Sequence, residues 1–323
     1  MPVTAFIFPG QGSQTVGMGG DLADAFPAAR EVFQEVDDAL GEKLSKIIFE
    51  GPAETLTSTE NTQPALMALS MAVLRVLETE GKFRIPDVAT LLAGHSLGEY
   101  SALAAGGALG LSETARLLRV RGSAMQKAVP AGEGGMAALI GVTPEQAQDI
   151  CDKAAIVQIE GQPEWREIIE LANDNGGGQI VISGQMAAIE RAVVIAKDSG
   201  VKRAVKLPVS APFHCSLMKP AADVMAEALA KAEVRAPVVP VVANVTAAKV
   251  TEPDEIRRLL TEQVTGQVRW RESVAAMTAM GVTRFVEIGA GKVLSGLVKR
   301  IAPDAEGVSV GTVADIESFL KTL

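Results

Sequence analysis

Ser96 sits in Gly94-His95-Ser96-Leu97-Gly98, a Gly-x-Ser-x-Gly spacing that suits a hydroxyl nucleophile. Such a serine attacks acyl carbonyls, provided that its proton is removed and the resulting oxyanion is held. The chain has 2 histidines, His95 and His214. Neighbouring side chains diverge in a turn of this kind, so His95 is poorly aimed at Ser96 and His214 is left as the base. His214 lies in the turn-rich segment Ser210-Ala211-Pro212-Phe213-His214-Cys215, a suitable setting for a loop-borne catalytic group. What orients it is open: Asp198 is the nearest upstream acid but reads as helix surface, and a backbone carbonyl could serve instead. For the oxyanion, the Leu97 amide begins the next helix and points into the same space. The loop Phe8-Pro9-Gly10-Gln11-Gly12-Ser13-Gln14 supplies a second amide, that of Gln11. It is not read as a dinucleotide loop, because Thr15 stands where a third glycine is needed. Arg121 is the last group of interest. Helical arginines are usually solvated. Near a serine site, a guanidinium can instead grip a substrate carboxylate in a bidentate pair and select a dicarboxylic acyl group.

These groups need elements to hold them. The apolar run Val88–Ala93 reads as a buried strand feeding the turn, and Glu99–Ala105 as the helix leaving it. The glycines two places either side of Ser96 are demanded by the sharpness of that turn. Val3–Phe8 reads as a first buried strand. Helices are expected over Pro27–Leu40, from Asn61-Thr62-Gln63-Pro64, with Pro64 in the first turn, to Gly81, and from a Ser112 cap through Arg116, Arg119 and Arg121 toward Pro130. Residues 131–207 change character. The order strand, helix, strand, strand, helix, strand reads as a ferredoxin-like βαββαβ unit, with a capping box at Thr143-Pro144-Glu145-Gln146. Ala155–Glu167 has no assigned place in it. From 208 the α/β rhythm returns, with strands at Val238–Val242 and Thr283–Ile288 and helices at Ser216–Ala232, Asp254–Val264, Trp270–Met280 and Lys292–Ile301. The expected fold is α/β: a hydrolase-like parallel-sheet core, residues 1–130 and 208–323, with an inserted ferredoxin-like subdomain, 131–207.

Composition narrows the function. With 323 residues and 48% hydrophobic content the chain can bury a large core. A net charge of -9 disfavours generic binding to nucleic acid or anionic membranes, and 4% aromatics argues against stacking surfaces. Cys151 and Cys215 form no CxxC and no metal-spaced cluster, so reduced, buried thiols in a cytoplasmic protein are expected, with no metal. The N-terminal residues lack a basic region of the kind that opens a signal peptide, and the apolar stretch 88–111 is too interrupted to span a membrane.

Taken together, Gly10-Gln11-Gly12-Ser13-Gln14, Thr62-Gln63-Pro64-Ala65, Gly94-His95-Ser96-Leu97-Gly98-Glu99-Tyr100, Arg121-Gly122, Phe213-His214-Cys215-Ser216-Leu217-Met218 and Glu287–Leu294 resemble, in order, the motifs of the malonyl-CoA:acyl carrier protein transacylases of type II fatty acid synthesis. The resemblance spans essentially the whole chain. It implies that Ser96 takes the malonyl group as an ester, that His214 is the base, and that the Gln11 and Leu97 amides form the oxyanion hole. Arg121 would grip the malonyl carboxylate, with Gln63 also at the substrate. Phe213 would crowd an α-methyl group and so select malonyl. Asn173 and Asn175 would lie along the pantetheine path. A main-chain carbonyl in the segment Gly266-Gln267-Val268-Arg269 before Trp270, assigned to Arg269, would orient His214. Lys202 and Arg203 would help dock an acidic carrier. The implied substrates are malonyl-CoA and holo acyl carrier protein, handled without a cofactor by a monomer. A trans-acting polyketide malonyltransferase shares this chemistry. A serine thioesterase would need an acid on His214 and a water path but no Arg121, and a dead carrier-binding protein would not need Ser96 and His214 intact.

Overall fold

The computed structural model describes residues 2–209 and 211–323, so Ser210 of the turn-rich segment lies outside the described residues. A six-stranded sheet runs through the core in the order Lys249–Val250, Val241–Val242, Leu91–Gly94, Thr4–Phe8, Arg284–Ile288, Glu306–Val310. All neighbours pair in parallel except the first two, which are antiparallel. Both faces of the central strands are covered. Phe6, Phe8 and Leu92 face the larger apolar cluster, while Ala5, Ile7, Leu91 and Ala93 face a second one with Phe285, Trp270 and Val274. A strand buried on both faces reads as a continuous apolar run, which is why these strands show in the sequence without alternation.

The elbow strand is Leu91–Gly94, shorter than the run suggested. Ile85–Val88 is a short helix instead, because Pro86 presets its first turn and the Asp87 carboxylate accepts from the Arg84 amide at 2.9 Å. The helix carrying Pro64 begins earlier than expected, at Thr59. Side chains in its first turn tie it to the preceding segment: Asn61 Nδ2 donates to Thr55 O and Thr62 Oγ1 to Leu56 O, at 2.8 and 2.6 Å. The arginine helix, Leu111–Lys127, starts from Gly110, and Ser112 Oγ donates outward to Glu35 rather than capping it. Two C-terminal elements were not evident in the sequence, the edge strand Glu306–Val310 and the helix Val313–Leu320. The strand is short and half-exposed, so its pattern is faint.

Between the two stretches of core lies an antiparallel sheet in the order Ile169–Asp174, Gln179–Gln185, Gly134–Ile140, Arg203–Lys206, with helices Pro144–Ala155 and Met186–Asp198 packed on it. Thr143 caps the first of these helices through the expected box with Gln146. The unassigned segment forms a small hairpin, Ile156–Val157 paired with Trp165–Arg166. This unit is stitched to the core beside the elbow: Val268 N–H donates to Ala172 O at 2.8 Å and Asp174 N–H to Val268 O at 3.0 Å. Asp174 also pairs with Arg271 at 2.7 Å.

Candidate active site

The elbow is built as the glycine spacing demands. A Cβ on Gly94 would lie 1.9 Å from Gly98 O, and one on Gly98 would lie 2.3 Å from Phe8 O. Ser96 takes φ 53°, a left-handed conformation that costs a non-glycine residue on the order of 1 kcal/mol or more. Surrounding bonds hold it there. Asn244 Oδ1 accepts from the Ser96 amide at 2.8 Å, while Asn244 Nδ2 donates to Gly94 O at 2.7 Å.

The strain aims the hydroxyl. Ser96 Oγ stands 2.8 Å from His214 Nε2. On the far side of the ring, Nδ1 lies 2.9 Å from Gln263 O and 3.2 Å from Gly266 O. Carbonyls only accept, so Nδ1 carries the proton and Nε2 presents its lone pair to the serine. Burial, with the Arg121 charge nearby, lowers the imidazole to about 3, so it stands neutral and ready to take a proton at neutral pH. The assignment of the orienting carbonyl to Arg269 is corrected here. The Arg269 carbonyl accepts from Ser273 N–H and Oγ–H, each at 2.9 Å, as part of the helix Trp270–Ala279. The carbonyls that reach His214 belong to Gln263, the last residue of the helix Pro253–Gln263, and to Gly266, the first residue of the segment expected to supply one. Asp198 ends an exposed turn of its helix, in keeping with the surface reading.

A cleft of about 420 Å³ opens over this pair, and Gln11, Leu97, Gln63, Arg121, Asn173 and Phe213 all contribute to its wall. Gln11 and Leu97 line the cleft together with Ser96, and neither amide has a backbone acceptor among the described residues. Asn175 is buried behind the wall, its Oδ1 2.9 Å from His95 Nε2. Lys202 and Arg203 are exposed on the antiparallel unit, outside the cleft wall.

Arg121 is only 1% exposed. Its Nη1 donates to Gln63 Oε1 at 2.8 Å, and its Nη2 donates to Gln263 Oε1 at 2.9 Å and Ser96 Oγ at 3.2 Å. The guanidinium also lies over the Tyr100 ring at 5.6 Å. No carboxylate stands within ion-pair distance of it among the described residues, and its Nε has no partner. A buried cation with neutral contacts carries a desolvation cost of several kcal/mol, about what an anionic ligand in the cleft would offset.

The sequence profile of the acyl transferase domain matches residues 5–316. This chain belongs to that family. It is similar along its full length to the malonyl CoA-acyl carrier protein transacylase of Bacillus subtilis, at 47% identity over 323 residues, 100% of this chain and 98% of that protein. The crystal structure of an acyl-carrier-protein-S-malonyltransferase from Bartonella henselae superposes with a TM-score of 0.93 at 54% identity, covering 99% of each chain. A type II polyketide acyl carrier protein in complex with its malonyl-transacylase includes a chain that matches with TM-score 0.93 and 42% identity, over 99% of this chain and 100% of that one.

Three residues of this acyltransferase site were not assigned from sequence. Asn244 follows the strand Val241–Val242, at the carboxyl end of the sheet beside the elbow, where a polar residue after two buried valines is a usable signal. Gln263 ends the helix Pro253–Gln263 and is fully buried. Glu99 belongs to the quoted motif and is 2% exposed. Its helix, Leu97–Ala105, is buried along almost its whole length, so a carboxylate there has no solvated face to occupy.

Proposed function

We propose that this acyltransferase moves the malonyl group from malonyl-CoA to the pantetheine thiol of holo acyl carrier protein through a malonyl ester on Ser96. The observation that carries this reading is Arg121: a buried guanidinium beside the nucleophile whose direct side-chain partners are neutral. It fits an acyl group that ends in a carboxylate. The names of the relatives point to the same donor and acceptor.

His214 Nε2 accepts the Ser96 proton as Oγ attacks the thioester carbonyl. The Gln11 and Leu97 amides hold the oxyanion. As the C–S bond breaks, the imidazolium returns the proton to the CoA sulfur, which leaves as the thiol. The carrier's thiol then loses its proton to His214 and attacks the ester, and collapse gives the malonyl thioester and free Ser96. The Gln263 and Gly266 carbonyls stabilise the imidazolium in both halves. A bound carboxylate also offsets the Arg121 charge that holds the His214 basicity down, so the correct acyl group makes the base stronger. No step in this route calls on a metal or cofactor. Phe213 narrows the cleft against an α-methyl group, and Asn173 lies on the pantetheine side.

We read residues 1–130 and 208–323 as the core and 131–207 as a ferredoxin-like insert; the strand order of the antiparallel sheet supports the latter. Carrier docking is placed at Lys202 and Arg203, with Arg300 added. Lys202 packs against Gly141 and Arg300 lies over Gly177, on either side of the turn Gly176-Gly177-Gly178. Asn175, one residue away, backs the cleft wall at His95. The neighbour bound to a polyketide carrier favours, as a second reading, a polyketide carrier as acceptor.

Intact-protein mass after mixing with malonyl-CoA, then after adding holo carrier, tests the route. A malonyl adduct on the wild type, absent from Ser96→Ala and discharged to the carrier, is expected. In Arg121→Ala, malonyl transfer should fall far more than acetyl transfer. An adduct lost to water equally fast with and without carrier would make the protein a hydrolase, and equal losses in Arg121→Ala would remove the carboxylate clamp.

A further inference from the structure

Gln263 is a junction of the site. Its main-chain carbonyl holds His214, its Oε1 accepts from Arg121 Nη2, and its Nε2 donates to Ser96 O at 3.0 Å and to Glu99 Oε2 at 2.7 Å. The same Glu99 oxygen accepts from the Asn244 amide at 3.0 Å, and the Asn244 side chain pins the elbow. Glu99 has no Lys or Arg within ion-pair distance among the described residues, so its burial is not explained by a salt bridge.

The polarity of these groups matters. Glu99 Oε2 is held as an acceptor, because it already takes the Asn244 N–H as well as the Gln263 Nε2–H, and a guanidinium can only donate. Set on either side of a primary amide, they leave one favourable orientation: nitrogen toward Glu99, oxygen toward Arg121. The flipped amide would set NH2 against the guanidinium and oxygen against the carboxylate, with two repulsive contacts in a buried site.

We propose that Glu99 is a positioning residue for the acyl-carboxylate clamp: by fixing the orientation of the Gln263 amide it holds the Arg121 guanidinium at Ser96. The inference rests on the malonyl-transfer reading above. It predicts selectivity rather than bulk activity. A glutamine at position 99 has nearly the shape of glutamate but can both donate and accept, so it no longer dictates the Gln263 orientation.

The test is Glu99→Gln, with KM and kcat measured for malonyl-CoA and acetyl-CoA transfer to holo carrier and the melting temperature alongside. The expected result is a rise of about tenfold or more in the KM for malonyl-CoA that exceeds the change in kcat, with malonyl-over-acetyl preference falling by a similar factor. Gln263→Ala, which keeps the main-chain carbonyl on His214, should show the same malonyl-selective loss, and it serves if Glu99→Gln does not fold. Parallel losses for both acyl groups would assign Glu99 a purely structural role and overturn the proposal, as would a selectivity within about twofold of wild type. If wild-type protein shows no malonyl preference at all, the functional reading fails rather than the role of Glu99.

Discussion

His214 and Glu99 are buried within a few ångströms of a shared partner, Gln263, yet burial moves their protonation in opposite directions. The imidazole falls from its ordinary 6.5 to about 3, and the carboxylate rises from 4.5 to about 7, burial being the main cause in both. A depressed base contributes stability above its unfolded value that is lost as pH falls toward the folded one. A raised acid contributes stability below its unfolded value that is lost as pH rises through the folded one. Between 4.5 and 6.5 the two slopes therefore oppose each other. Removing the imidazole should expose the other slope. In His214→Ala, unfolding free energy from urea titration should fall from about pH 4.5 to about pH 7, and its difference from wild type should fall between about pH 4.5 and 6.5. A difference that stays flat or rises over that range would contradict these assignments.

The strand–turn–helix around Ser96 shows how tightly one element can dictate its sequence. Strand and helix meet so closely at Gly94 and Gly98 that a methyl group at either would fall on backbone atoms, which cannot move aside as a side-chain end could. Gly94→Ala should cost on the order of 3 kcal/mol or more and abolish acylation by displacing Ser96. Gly296, inside the helix Val293–Ile301, is the contrast, because a Cβ there meets nothing within 4 Å. Gly296→Ala should stabilise by about 1 kcal/mol with activity retained. Denaturant midpoints for the two variants check both signs, and a tolerated Gly94→Ala would refute the close-packed elbow. At this scale the sequence was a good guide for the buried strands Thr4–Phe8 and Arg284–Ile288 and for the capped helix Pro144–Ala155. It was a poor one for the edge strand Glu306–Val310 and the hairpin at Ile156–Val157 and Trp165–Arg166, where few buried residues leave little periodicity to read.

The whole molecule is acidic, with a net charge of -9, so an acidic carrier meets a generally repulsive surface. The proposed docking point takes Lys202 and its neighbour Arg203 on the antiparallel unit with Arg300 of the core, which lies against Gly177, two residues from the Asn175 that meets His95 of the cleft. Charge reversal at all three should raise the KM for holo carrier by about tenfold and flatten its salt dependence. Carrier discharge should slow much more than acylation by malonyl-CoA. Equal slowing of both half-reactions would move the docking site elsewhere.

The sequence by itself points to the proposed nucleophile and base, because one stands in a spacing that only one turn accepts and the other is of a scarce residue type. The glycines around Ser96 and the small number of histidines are of this kind. Arg121, one of many arginines, stands out only through the family resemblance. The sequence could not identify the groups that orient them. The carbonyls on His214 belong to Gln263 and Gly266, not Arg269, and a carbonyl has no residue type to betray it. Asn244, Gln263 and Glu99 are ordinary residues until strand Val241–Val242 and helix Pro253–Gln263 are laid against the elbow. Contacts between residues more than a hundred positions apart, such as Ser96 with His214, Asn244 and Gln263, arise from the order of strands in the sheet, and only the tertiary structure decides that order.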